Sequence, residues 1–253
     1  MKVLMIGNSF SADAHAYLSR IAEGAGQNDH KFLNMYIGGC SLEQHAKKID
    51  ESLIHYGIMY NETNYCSDLL VTLRAALTWQ DWDYVSIQQR SGHSGIWETY
   101  QPYANRVVDY VHELAPNAKL LVHQTWAYEV DSEHGDFPIY SRDYRIMHER
   151  LTECYERLTS EVGAVGMIPT GNVINTLRKM PEFDITQGGV SLFRDKFHLS
   201  LEYGRYAAAA TWFTALGLGD IDDSDFTIPR DDVDPNLFAL VKKTVKETVK
   251  KVI

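Results

Sequence analysis

The sequence predicts an α/β protein: a three-layer αβα sandwich around a flavodoxin-like, five-stranded parallel sheet. Three observations carry this. Five short apolar runs, at 2–6, 32–37, 83–88, 119–124 and 165–168, have strand length and composition. Segments with helical spacing of apolar residues separate them, and that alternation implies parallel strands with helices on both faces. No Pro/Ser/Gly-rich or charge-dense linker divides the 253 residues, so a single domain over 1–253 is expected.

Each element has its own signal. Lys2–Ile6 reads as the first strand and 12–25 as a helix, with Ala16, Leu18, Ile21, Ala22 and Ala25 at roughly helical spacing. The second strand, 32–37, ends at Gly38-Gly39. Ser41 reads as the N-cap of a short helix with Glu43 in its first turn. Residues 54–66 read as a small hairpin insertion and 68–78 as a helix. The third strand, 83–88, leads to a helix over 99–114 that Pro116-Asn117 stops. The fourth strand, 119–124, is followed by a long aromatic loop, 125–140, and a helix over about 141–161. The fifth strand precedes a helix over 171–179, an irregular stretch over 181–198 and an Ala-rich buried helix over 201–216. Residues 220–234 carry seven aspartates and read as a surface excursion. The last segment, 236–252, sets Leu237, Leu240, Val241, Val245, Val249 and Val252 on one side and lysines opposite, and is expected to dock as a terminal helix.

Composition limits the function. The net charge of −10 argues against a nucleic-acid partner, which needs a basic surface. The three cysteines, Cys40, Cys66 and Cys154, give no disulfide framework and fit a reducing compartment. With neither a signal-peptide pattern nor a membrane-length apolar run, the expected location is the cytoplasm. The histidines, His45, His55, His93, His112, His123, His134 and His148 among them, show no ligand-like pairing, so no metal site or cofactor is expected. Cys40 reads as a small buried thiol rather than a nucleophile.

In an open parallel sheet, ligands bind at the carboxyl ends of the strands. Four segments meet there: Gly7-Asn8-Ser9, Gly38-Gly39, Gln88-Gln89-Arg90 and His123-Gln124-Thr125-Trp126. Ester hydrolysis needs a nucleophile, a base within hydrogen-bond reach, a group that orients the base, and donors for the oxyanion. Ser9 is the candidate nucleophile. His198 is the candidate base, and Asp195, three residues earlier, can hold its tautomer. The candidate oxyanion donors are the N–H groups of Ser9 and Gly39 and a side-chain amide from Gln88 or Gln89. Neighbouring residues of a strand face opposite sides, so register decides between the glutamines; Gln89, nearer the loop, is the first choice. Asn8, Arg90, Trp126 and Tyr128 are candidate substrate contacts. Arg90 fits either a substrate carboxylate or a surface acid. The aromatic residues fit either loop packing or a platform for a sugar ring.

These residues resemble the motif blocks of the SGNH (GDSL-type) hydrolases. The first block reads Gly7-Asn8-Ser9-Phe10-Ser11, the second Ile37-Gly38-Gly39-Cys40-Ser41-Leu42-Glu43, and the last Asp195-Lys196-Phe197-His198, followed by Gly204 and the Ala-rich helix. The resemblance covers nearly the whole chain and implies a serine esterase acting on a small-molecule ester, with O-acetyl carbohydrate as one case. A lipase or thioesterase and a non-catalytic carbohydrate-binding relative are the alternatives. Two positions depart from the pattern. Asn8 stands where the family has Asp, and Gln88-Gln89 stand where it has an Asn after the third strand. Neither a membrane nor a particular oligomeric state is implied.

Overall fold

The computed structural model describes residues 1–61, 63–64, 70–228, 230 and 233–253. Its elements, in chain order, are β1 (Lys2–Gly7), α1 (Ser9–His15), α2 (Leu18–Gly24), β2 (Lys31–Tyr36), α3 (Leu42–Asp50), β3 (Tyr56–Tyr60), β4 (Thr63–Asn64), β5 (Leu70–Val71), α4 (Leu73–Leu77), β6 (Tyr84–Ile87), α5 (Tyr103–Leu114), β7 (Lys119–His123), α6 (Tyr144–Glu161), β8 (Gly166–Ile168), α7 (Thr170–Leu177), α8 (Tyr203–Ala215) and α9 (Pro235–Thr248).

Five strands, β2-β1-β6-β7-β8, pair in parallel, with registers such as Leu4↔Leu33, Leu4↔Val85 and Val85↔Leu120. This is the expected flavodoxin-like order. The chain moves outward from β1 to β2, then crosses back to β6, so the sheet switches direction between β1 and β6. The strands are near-continuous apolar runs because both faces are covered: Val3, Leu4, Met5 and Ile6 are all buried. Helices α3, α4, α5 and α6 cover one face; α1, α2, α7, α8 and α9 cover the other.

The sheet also extends beyond the parallel core. β3 pairs antiparallel with β2, and both β4 and β5 pair with β3, giving eight strands among the described residues. The expected hairpin is present as β3 and β4 and widens the sheet edge; positions 62, 65 and 66 of it lie outside the described residues. Of the helix expected over 68–78, positions 68–69 lie outside the described residues; Leu70–Val71 are strand, and the Thr72 hydroxyl caps α4 by accepting from Ala75 N–H.

The first helix starts earlier than expected and is broken. Asn8 caps α1, whose first residue is Ser9, and Tyr17 separates α1 from α2. Ser41 caps α3 through a capping box with Gln44, as its sequence suggested. Helix α9 docks as expected: Val241, Val245 and Val249 are buried, and Val252 N–H donates to Ala215 C=O at 2.9 Å. The Asp-rich excursion is pinned by buried Ile221, Ser224, Phe226 and Ile228. Among the described residues, no helix is long and apolar enough to cross a membrane.

Candidate active site

β1 ends at Gly7, and the chain turns at once into α1. A side chain at Gly7 would press its Cβ to 2.6 Å from Ser11 Cβ, so only glycine allows this abrupt strand-to-helix turn. The turn leaves Ser9 half-buried at the sheet switch point, in the first turn of α1. Its neighbour Phe10 is buried and stacks on Trp126, with ring centroids 4.2 Å apart and planes at 6°.

The Asp195–His198 turn reaches the same place from the far end of the chain. His198 Nδ1–H donates to Asp195 Oδ2 at 2.7 Å, and His198 N–H donates to Asp195 Oδ1 at 2.7 Å. A carboxylate only accepts, so the bond places the proton of a neutral His198 on Nδ1 and leaves a lone pair on Nε2. Nε2 is buried and has no hydrogen-bond partner among the described residues, so Ser9 Oγ is not bonded to it in this arrangement. The His198 ring meets Phe10 edge-on, at 5.8 Å between centroids and 62° between planes. That contact puts the His198 ring beside the turn that carries Ser9. Burial would raise the Asp195 pKa, but hydrogen bonds from the His198 ring and from the N–H groups of His198 and Phe197 hold it below the usual carboxylate range.

A buried carboxylate that the sequence did not single out ties the two halves together. Asp13, on α1 and 1% exposed, accepts from Leu199 N–H at 2.9 Å, from Arg194 Nη1 at 2.9 Å and from Arg205 Nε at 2.8 Å. The turn from Arg194 to Leu199 closes on itself through Arg194 N–H to His198 C=O at 3.0 Å and the Phe193–Leu199 bridge. Trp126 and Glu129 hold its outer side: the indole N–H donates to Phe197 C=O, and Glu129 N–H donates to Lys196 C=O.

Gly39 has φ +64°, in the left-handed region that favours glycine, and open space surrounds its Cβ position. The N–H groups of Ser9 and Gly39 donate to no acceptor among the described residues. Both remain available as oxyanion donors.

The other expected site residues are placed differently. Gln88 and Gln89 are buried, and both amides are engaged by protein. Gln88 donates from Nε2 to Asn8 Oδ1 and accepts at Oε1 from His123 Nδ1–H. Gln89 accepts from Leu42 N–H and Arg90 N–H, and its amide nitrogen donates to Thr99. The expectation of a free glutamine amide at the oxyanion is thus corrected for both. Asn8 is likewise no substrate contact: it is 2% exposed, caps α1 at Phe10 N–H and donates to Cys40 C=O. Arg90 takes the ion-pair option, with Asp136 of the long loop. Trp126 and Tyr128 are fully buried, so they pack the loop and offer no ring face to a sugar. The Tyr128 hydroxyl bonds to Ser91 Oγ at 2.9 Å.

His134, on the same long loop, packs on Phe197 at 4.8 Å and accepts at Nδ1 from Asp136 N–H. Burial lowers its pKa, and the charges of Asp136, Arg90, His198 and Asp195 all reach it, so it borders the site. No spacing signal marked it in advance.

A family model for a domain of unknown function, DUF4886, matches residues 2–246. The chain belongs to the DUF4886 family. A DUF4886 protein from Bacteroides uniformis is 32% identical, with a TM-score of 0.85 over 98% of this chain and 93% of that one. Beyond the family, the chain shares its fold with SGNH-type proteins. One is a candidate SGNH hydrolase from Slackia heliotrinireducens, at 20% identity and TM-score 0.54, covering 84% of this chain and 96% of the other. Another is an acetylxylan esterase from Geobacillus stearothermophilus, at 14% identity and TM-score 0.53, covering 89% and 94%. None of the curated proteins matches the chain.

Proposed function

We propose that this DUF4886 protein is a serine esterase acting on short acyl esters, with O-acetyl groups on carbohydrate as the substrates to test first. One observation carries the reading: His198 is locked on Asp195 through Nδ1 while its buried Nε2 has no partner among the described residues, beside the turn that presents Ser9. A histidine in that state is a general base awaiting a proton. The fold shared with an acetylxylan esterase supports the ester class.

In this mechanism Ser9 turns its hydroxyl to His198 Nε2 and attacks the ester carbonyl carbon, and Nε2 takes the proton. Asp195 stabilises the resulting imidazolium. The N–H groups of Ser9 and Gly39 receive the tetrahedral oxyanion, where losing one such donor costs roughly 3–4 kcal/mol of barrier. His198 then protonates the leaving alcohol, and water repeats the sequence to release the acid. Turnover of p-nitrophenyl acetate tests this. The native protein should hydrolyse it, and Ser9→Ala should lose that activity while keeping its circular dichroism spectrum. Equal turnover by native and Ser9→Ala proteins would remove Ser9 from the chemistry.

A further inference from the structure

We infer that Gln88 and His123 are positioning residues that act through Asn8, holding the Ser9 turn and the Gly39 loop in one geometry. The inference rests on the esterase reading for what those two segments do.

The hydrogen bonds run in one direction across the sheet. Thr170 Oγ1–H donates to His123 Nε2 at 3.1 Å, His123 Nδ1–H donates to Gln88 Oε1 at 2.7 Å, Gln88 Nε2–H donates to Asn8 Oδ1 at 2.9 Å, and Asn8 Nδ2–H donates to Cys40 C=O at 2.9 Å. Backbone groups at the Asn8 end fix this polarity. Phe10 N–H can only donate, at 3.0 Å, so it selects Asn8 Oδ1; Cys40 C=O can only accept, so it selects Nδ2. Oδ1 then requires the Gln88 amide nitrogen, which turns Gln88 Oε1 to His123. That oxygen requires the proton on His123 Nδ1, and Nε2 is left to accept from Thr170. Every member is buried, and the His123 ring lies against Trp212 and Trp126, at 5.1 and 6.4 Å between centroids. Burial keeps this imidazole neutral, with its pKa lowered to about 3.

The two ends of Asn8 touch the two segments the chemistry needs. Oδ1 fixes the first turn of α1, which starts at Ser9. Nδ2 fixes the carbonyl of Cys40, next to Gly39. The departures from the SGNH pattern then explain each other. An aspartate at position 8 would set a second acceptor against Cys40 C=O, so Asn is the residue that can bridge both segments. Gln88 is long enough to reach from β6 to Asn8 and keep it oriented.

Gln88→Met keeps the length and loses both bonds. Gln88→Glu keeps the acceptor for His123 but sets an acceptor against Asn8 Oδ1. Both should lower kcat for p-nitrophenyl acetate on the order of 10- to 100-fold, since small misplacements of reacting groups have effects of that size. KM should stay within about threefold, the pattern of a group that serves the transition state. Thr170→Val, isosteric and remote from Ser9, should lower kcat in the same sense even where the Gln88 variants fail to fold. Native kcat in Gln88→Met or in Thr170→Val would overturn the inference. Nitrogen-15 NMR gives a readout independent of activity. His123 should carry its proton on Nδ1, and the amide resonances of Ser9, Phe10, Gly39 and Cys40 should move in the folded variants. A proton on Nε2, or unmoved amides, would overturn the inference while the esterase reading stood. A native protein without ester turnover but with moving amides would sink the esterase reading alone.

Discussion

Asp13 and Leu199 meet although 186 positions separate them: the buried carboxylate of α1 accepts the N–H of the residue that follows His198, at 2.9 Å. Asp13 lies one helical turn after Ser9, so this bond joins the helix of the proposed nucleophile to the turn carrying the proposed base. Arg194 and Arg205 complete the carboxylate's shell.

Removing Asp13 should therefore cost stability as well as activity. Asp13→Ala leaves the Leu199 N–H and two guanidinium groups without their acceptor, a loss of about 3 kcal/mol for a broken buried ion pair. Urea unfolding at neutral pH measures it. A loss below about 1 kcal/mol would show that solvent replaces the carboxylate easily.

The two neighbouring glycines separate conformation from space. Gly39 needs φ +64°, whereas a Cβ at Gly38 meets Tyr36 Oη at an ordinary 3.4 Å and Gly38 has no positive φ. Gly39→Ala strains the left-handed conformation by about 1–2 kcal/mol and should displace the proposed oxyanion donor, lowering kcat. Gly38→Ala should leave kcat within about twofold, far less than the loss expected for a missing donor. Equal effects in the two variants would contradict the assignment of Gly39.

Trp126 should behave as a structural residue. Trp126→Phe retains a ring against Phe10 but loses the indole donor to Phe197 C=O, at a cost of about 1 kcal/mol. KM for an acetylated sugar should be unchanged, since the ring is buried. A severalfold rise in KM would return Trp126 to the substrate.

Acid should destabilise the fold through its buried imidazoles. Burial lowers the pKa values of His15 to about 4 and of His45 and His123 to about 3. In the unfolded chain these groups titrate near 6.5, so on acidification the unfolded state takes up protons first. Stability is full above about pH 6.5 and falls by up to roughly 1.4 kcal/mol per pH unit per group on the way down to the folded pKa values. The urea midpoint should drop between pH 7 and pH 5, and His15→Gln should flatten the slope. A midpoint that holds steady or rises on acidification would contradict this.

The parallel core was legible because β1, β2, β6, β7 and β8 are apolar runs framed by helical periods, a pattern that implies a parallel sheet covered on both faces. The antiparallel edge was less visible: Leu70–Val71 forms a two-residue strand inside a stretch with helical spacing, and pairing with β3 decides it. Ser9, Asp195 and His198 could be proposed from the sequence because their order and spacing match a triad, and the structure brings the Asp195–His198 pair beside the Ser9 turn. Asp13, Arg194 and Arg205 could not, because nothing local links positions so far apart. The glutamines misled for a related reason. Period-two alternation says that Gln88 and Gln89 face opposite sides, but not that Asn8, His123, Leu42 and Thr99 already occupy both.

The proposed chemistry stands or falls with Ser9 as a nucleophile that His198 activates. Labelling with a fluorophosphonate probe, followed by peptide mass spectrometry, tests it most directly. One adduct on Ser9 is expected in the native protein, none in Ser9→Ala, and a strongly slowed reaction in His198→Gln. An unlabelled native protein, or an adduct on another residue that persists in Ser9→Ala, would contradict it.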